Sequence, residues 1–474
     1  MKRLLTTAAL SLALAAPVSA QQRAISQSER AQGQQAHPEL LQSFGGVYGG
    51  PQDAYVARVG KRIAVQSGLS GSERDFTITL LNSPVNNAFA IPGGYVYITR
   101  QLLALINDEA ELAAVLGHEV GHVADRHSSS RNRTSGVTSV LAGLLGAVTG
   151  NSGIAQIAGQ AAQLYTLRFS RQQELQADDL GVRYLTTGGY DPLAMSTVLA
   201  SLADQNVLDQ QTGGQRRGTA EWASTHPDPA SRVLRARQTA DRARGAAAPR
   251  NREAFLAAID GMLYGDDPRQ GVIDGNNFRH PELRIAFTAP QGYAMTNSAQ
   301  AVTIAGQGGQ AQFSGARYGG DLDAHVRQIF SSLSQGGGAP PTEVRRTQIN
   351  GMEAAYATVR ASAGGQSVDA TIFAFETARS TAYHFVVIAP AGQGVGPFGS
   401  MFDSFRRLAA NEAGQIRAKE IDVVTVRPGD TPERLASLMA FQDRKLERFL
   451  VLNALRRDAR LQPGSKVKLV VYRR

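Results

Sequence analysis

Apolar positions along this chain keep first a helical rhythm and later a strand rhythm. Tyr55, Val59 and Ile63 recur every four residues and predict a helix from about Gln52. Phe76, Ile78 and Leu80 then alternate, as a half-buried strand does. Ala88-Phe89-Ala90-Ile91 and Tyr95-Val96-Tyr97-Ile98 flank Pro92-Gly93-Gly94, which reads as a β-hairpin. A strong amphipathic helix follows, with Leu112, Val115, Leu116 and Val123 as its stripe, Asp108 as cap and Glu111 three residues on. A second helix runs from about Arg171 through Leu185 and stops at Gly188-Gly189, and helical pattern continues to about residue 263. From about 270 the period becomes two, in Leu283, Ile285 and Phe287, in 371–375 and in 384–388. Helices are expected near Leu322–Leu333 and Phe398–Leu408. Residues 421–474 read strand, turn (Pro428-Gly429-Asp430-Thr431), two helices, strand.

These rhythms divide the 474 residues into several units, since one core rarely serves so long a chain. Expected are a flexible stretch over 21–50, a mainly helical domain over 51–265 with a small sheet, and an α+β domain with an antiparallel sheet over 270–412. A small βααβ unit over 421–474 follows. The Gly-rich segment 335–341 reads as a loop. The first residues have a different logic: Lys2 and Arg3, an apolar run from Leu4 to Ala16, then small residues at Ser19 and Ala20. That order predicts a secretory signal cleaved after Ala20. The run is shorter than the ~20 residues that span a bilayer. Cysteine is absent, which excludes disulfides, a lipid-bearing cysteine and thiolate metal ligands. The expected destination is a bacterial periplasm. Charge adds little: 49 basic and 40 acidic groups give +9. The basic residues are spread out, without the clustering and aromatic interleaving of a nucleic-acid surface, so no nucleic-acid partner is expected.

The chemistry lies in His118-Glu119-Val120-Gly121-His122. On a helix, His118 and His122 stand one turn apart on one face with Glu119 beside them. Two imidazoles so placed reach one zinc ion at about 2.0–2.1 Å, and the carboxylate of Glu119 can take a proton from the attacking water. A third ligand is needed, and Glu174, on the second helix, is the candidate. Two His and one Glu leave a fourth position open, as a catalytic zinc requires. Asp178, one turn from Glu174, can accept the second ring N–H of His118 or His122 and fix its tautomer. One Zn2+ per chain is expected from ligand type, although other divalent ions also accept this set.

With these residues in view, Asn87-Ala88-Phe89-Ala90-Ile91-Pro92-Gly93-Gly94, the His118–His122 motif with Arg126-His127 after it, and the Glu174…Asp178 segment resemble the metallopeptidase family of the CAAX prenyl protease and the heat-shock protease HtpX. Within that family the likeness is to the soluble periplasmic branch typified by BepA, over about residues 50–240. It implies a gluzincin-type domain, zinc on His118, His122 and Glu174, and Glu119 as base. His226, in Ser224-Thr225-His226-Pro227, resembles a motif of that branch whose His can fill the fourth zinc position and hold the enzyme latent. Stabilising a developing oxyanion is the other role open to His226, and Arg232, six residues on, is a candidate for an electrostatic role. Residues 421–474 resemble a LysM module, which implies binding of N-acetylglucosamine-containing glycan.

The segment Asn87, Ala88, Phe89, Ala90 is expected to present a strand edge on which an extended peptide docks through its backbone, which favours unfolded chains as substrates. His127 reads as a solvated helix-end residue, and His37, His280, His325 and His384 as structural or exposed. The apolar run Val137–Val148 reads as buried. The expected function is a periplasmic zinc-dependent endopeptidase acting on unfolded or misassembled envelope proteins, with outer-membrane assembly machinery or peptidoglycan as further partners. The alternative is a chaperone-like or peptidoglycan-binding envelope factor with a latent peptidase site. A pure binder has no use for Glu119.

Overall fold

The structure is a computed structural model that describes residues 24–127, 169–212, 222–243, 245, 248–316, 318–334, 341–363 and 366–473. The expected signal over residues 1–20, the run Val137–Val148 and most of the Gly-rich segment 335–341 lie outside the described residues.

Residues 21–50, expected to be loosely ordered, instead carry helix α1 (Gln27–Ser43). Ser26 and Glu29 close a capping box at its start. The helix is polar, so its order comes from docking. Leu40 and Phe44 pack on Leu81, Ile91 and Tyr97 of the following sheet. Gly33 lets the backbone approach, for a Cβ there would lie 2.5 Å from the Pro92 carbonyl oxygen.

Helix α2 (Gly50–Ala64) buries Val56, Val59 and Ile63. A three-stranded sheet follows, built from β1 (Thr77–Leu81), β2 (Ala88–Ile91) and β3 (Tyr95–Thr99) in the order β1-β3-β2. β2 and β3 form the expected antiparallel hairpin, with Phe89 opposite Tyr97, and β1 runs parallel to β3. β2 is therefore an edge strand. After α3 (Arg100–Leu105) comes α4 (Glu109–Ala124), which carries the His118–His122 motif and is buried along nearly its whole length. Asp108 caps it by accepting from Glu111 N at 2.9 Å, while the Glu111 carboxylate reaches the Asn107 N–H at 2.9 Å rather than that of Asp108. Helix α5 (Arg171–Thr187) starts on a Ser170/Gln173 capping box and lies against α4. The two come close because the contact is made of glycine and alanine. A Cβ on Gly181 would stand 3.3 Å from the His118 nitrogen, and one on Gly121 would stand 3.3 Å from the Ala177 carbonyl oxygen. That approach brings Glu174 to the two histidines. Helices α6 (Ala194–Gln211), α7 (Trp222–Thr225), α8 (Pro229–Ala243) and α9 (Arg252–Ile259) and the short strand β4 (Leu263–Tyr264) complete this part.

Between Val272 and Arg407 a seven-stranded and a four-stranded sheet, both antiparallel, enclose a separate core of Phe278, Phe287, Phe313, Phe385 and Phe405. Helix α10 (Leu322–Ser334) covers the other face of the larger sheet through Leu322, Val326 and Phe330. The chain then returns to the first core. Strand β5 (Lys419–Thr425), helices α11 (Pro432–Ser437) and α12 (Lys445–Leu452) and strand β6 (Lys466–Tyr472) give a βααβ order, with β5 and β6 antiparallel and β4 added on the outside of β5. Ile421, Phe449, Val467 and Leu469 join one continuous core with Ile63, Leu116 and Val182. Lys468 is fully buried in this contact, and its Nζ donates to the carbonyls of Ala104 (2.7 Å) and Ile106 (2.6 Å). These carbonyls end α3 and lack partners within the helix, and the Lys468 amine, pushed well below its ordinary pKa by burial, supplies donors to them.

Candidate metal centre

His118, His122, Glu174 and His226 each present a ligand atom to one buried point, all within 4.8 Å of one another. His118 Nε2 and His122 Nε2 are 3.0 Å apart, and His226 Nδ1 is 3.3 Å from His118 Nε2. Glu174 lies 3.5 Å from His122 Nε2 through Oε1, 3.7 Å from His118 Nε2 through Oε2, and 3.0 Å from His226 Nδ1. Ligands about 2.0–2.1 Å from a tetrahedral zinc sit about 3.3 Å from one another. The observed spacings straddle that value, and the donor set is the oxygen–imidazole type that zinc accepts. Imidazole nitrogens facing one another without apolar relief in a buried space are also what a cation would stabilise. The residues fit the ion.

Glu119 stands beside the cluster, 3.6 Å from His226 Nε2 through Oε1. That oxygen is buried and has no hydrogen-bond partner among the described residues. Burial raises the Glu119 carboxyl above its ordinary value, against the opposing charges of His226 and His118. Burial likewise pushes the Glu174 carboxyl up, but His226, His122 and Arg232 outweigh it and hold the group far below the usual range. His122 is pushed down by burial. For His118 burial works the same way, yet Asp178 and Glu174 reverse it and raise the ring.

The supporting residues are placed as firmly. Asp178 Oδ1 lies 3.0 Å from His118 Nδ1, within reach though not squarely aimed. Arg232 is buried and joins two acids of α5: it donates to Asp178 Oδ2 at 2.8 Å and Oδ1 at 2.6 Å, and to Glu174 Oε2. One guanidinium thus pairs with two carboxylates and fixes where Glu174 points. His127, expected in solvent at the helix end, is buried instead. Its Nδ1 is 2.9 Å from His122 Nδ1, because α4 ends in a turn at Asp125-Arg126 that folds His127 back under His122. Of the other histidines, His37 bonds Tyr97 at 2.8 Å, His280 accepts from Leu283 N at 3.2 Å, and His325 and His384 face each other in the second part of the chain.

Two aromatic residues were not anticipated. Trp222 stacks on His226 with centroids 3.9 Å apart, and Phe169 stacks on His122 at 3.6 Å. Trp222 is the single tryptophan of the chain and stands one helical turn before His226, a spacing that could have marked it. Its backbone N–H donates to Asn86 O at 2.7 Å, so α7 is fastened to the chain just ahead of edge strand β2. Asn87 is buried there with both amide atoms unpartnered; Ala88 is buried, and Phe89 and Ala90 are half-buried.

Residues 51–240 match the model of Peptidase family M48. The chain is 30% identical over 214 residues to the "Beta-barrel assembly-enhancing protease" of Escherichia coli (strain K12), covering 43% of this chain and 42% of that protein. It is 29% identical over 214 residues to "Mitochondrial metalloendopeptidase OMA1" of Schizosaccharomyces pombe, covering 43% and 59%. With the Arabidopsis thaliana protein of that name it shares 33% identity over 152 residues, 32% and 28% of the two chains. The chain thus spans less than two thirds of the length of these relatives, and the likeness is confined to the part that holds the cluster.

Proposed function

We propose that residues 51–240, which match the model of Peptidase family M48, make this protein an exported zinc-dependent endopeptidase that cuts unfolded or misassembled envelope polypeptides and rests in a latched state. The observation that carries the reading is the convergence of His118, His122 and Glu174 on one point with Glu119 beside it. Those three side chains would hold the ion. When bound, the ion supplies Lewis-acid activation of water and of the scissile carbonyl. Glu119, its proton affinity raised by burial, takes a proton from the attacking water and delivers it to the leaving amine nitrogen. Arg232 and Asp178 keep Glu174 and His118 oriented. The edge of β2 receives the substrate as an added strand, which reads backbone rather than side chains and suits extended, unfolded chains.

His226, packed under Trp222, turns Nδ1 to the same point and would take the fourth ligand position of a bound ion. In that position it excludes water, and α7 also occupies Asn86 at the entrance to β2. Latency follows, and release of α7 would open both the ion and the edge at once. The leader pattern of residues 1–20 supports a periplasmic location. Among the described residues no helix is long and apolar enough to cross a membrane. The names of the bacterial relatives support envelope β-barrel proteins as substrates. The βααβ order of residues 419–472 supports a LysM-like unit holding the enzyme near peptidoglycan glycan.

The test is casein cleavage by wild type and His226→Ala, with and without a zinc chelator. The expected result is faster cleavage by the variant, abolished in both by the chelator. Equal or slower cleavage by His226→Ala would remove the latch, and chelator-resistant cleavage would remove the metal mechanism.

A further inference from the structure

Resting on the reading of His122 as a zinc ligand, we propose that His127 is a positioning residue that sets the tautomer of His122. Its two ring nitrogens face different chemistry. Nε2 faces acceptors: Gln176 Oε1 at 3.2 Å and the Asp125 carboxylate at 3.9 Å. A ring nitrogen between two acceptors carries the proton. In the neutral ring Nδ1 is then a bare lone pair, and it lies 2.9 Å from His122 Nδ1. The contact is a hydrogen bond only if His122 Nδ1 carries hydrogen. The consequence falls on the far side of the His122 ring: Nε2, which points at His118 and Glu174, must be the lone pair. A metal ligand needs that form.

The relay is held in place from several directions. Gln173 reaches the His127 carbonyl at 3.5 Å, which ties the end of α4 to the first turn of α5. Phe169 stacks on His122 at 3.6 Å and meets His127 edge-on at 6.3 Å, fixing the plane of the first ring against the second. Thus the two histidine ligands of α4 are oriented by different means. His118 is served by an anion, Asp178. His122 is served by an imidazole, which adds no negative charge to a site already holding Glu119, Glu174 and Asp178.

Zinc affinity, measured by competition with a fluorescent chelator, tests this without recourse to activity. Asparagine at 127 can place its carbonyl oxygen where Nδ1 stands, whereas leucine fills similar space without an acceptor. His127→Leu is expected to weaken zinc binding about 10–100-fold, the range for loss of a ligand-orienting partner. His127→Asn is expected to stay within a few-fold of wild type. The melting temperature of the metal-free protein serves as the folding control. Should the leucine variant fail to fold, His127→Gln replaces it, because the longer amide reaches the Nε2 side and leaves His122 unserved. Equal affinity in the acceptor-bearing and acceptor-lacking variants would overturn the proposal. Absence of zinc binding by wild type would overturn it together with the reading of the cluster, and so separates the two failures.

Discussion

The two ends of helix α4 are equally buried and oppositely furnished. At the N-terminal end every acid is answered. Glu109 accepts from Tyr55 at 2.5 Å, Tyr190 at 2.8 Å, Arg58 at 3.0 Å and Asn251 at 3.0 Å. Arg250 bridges Asp108 at 2.7 Å and Glu111 at 3.2 Å, and Thr197 adds a bond to Glu111 at 2.6 Å. Toward the C-terminal end, about three turns on, Glu119 keeps a buried oxygen without a hydrogen-bond partner among the described residues, and three imidazole nitrogens face one another. A buried polar group left open is costly, so proteins retain one where it has work to do. The closed end holds the helix in place; the open end is held ready for an ion and a substrate.

The contrast is broken most severely by Glu174→Ala. This change removes a ligand and leaves Arg232 facing only Asp178. Zinc should be lost, and the metal-free protein should be destabilised by about 3 kcal/mol, the scale for breaking one partner out of a buried ion pair. Urea unfolding with a zinc assay reads both. An unchanged unfolding midpoint would mean that Arg232 is not held by Glu174. Arg250→Ala strikes the closed end and leaves Asp108 and Glu111 without the cation they share. We expect about 2–3 kcal/mol of lost stability, since Arg250 is partly exposed, with zinc stoichiometry intact. Loss of zinc from this variant would show that the two ends are not independent.

A smaller effect sharpens the comparison through pH. Burial would raise the Glu109 carboxyl, but Tyr55, Tyr190, Arg58 and Asn251 outweigh it and lower it from 4.5. The unfolded chain then binds the proton more readily than the folded one. Glu109 therefore contributes stability that is full above about pH 4.5 and lost as pH falls through the lower folded value. Melting temperatures from neutral pH down to about pH 3.5 should fall more steeply for wild type than for Glu109→Gln. Parallel curves would mean that Glu109 is no better served folded than unfolded.

Much of this arrangement was legible in the sequence, and what escaped is instructive. Asp108, the apolar stripe and the His-Glu-x-x-His spacing placed α4, because all three signals are local. Glu174 and Asp178 were found by helical spacing on a second capped helix. Helix α1 was missed although Ser26-Gln27-Ser28-Glu29 spells its capping box, because its stability lies in docking through Gly33 and Leu40 and its own composition is polar. His127 was misjudged because a backbone turn after Ala124 decides whether it meets solvent or His122. Arg232, a candidate by spacing alone, bridges Glu174 and Asp178 of α5. The partnership of Lys468 with the end of α3 joins residues more than three hundred positions apart, and no local pattern reports that. Gly117, Gly121 and Gly181 could have been read as a close helix crossing, the feature that brings Glu174 to the histidines.

The measurement that bears most directly on the open end of α4 is zinc content and casein cleavage for wild type and Glu119→Gln, each also carrying His226→Ala so that the latch does not mask activity. Glu119→Gln should hold one zinc per chain like its parent and cleave about a hundredfold to ten-thousandfold more slowly, the scale of a general base. Equal cleavage by both would contradict Glu119 as the base, and a parent that holds no zinc would contradict the metal centre itself.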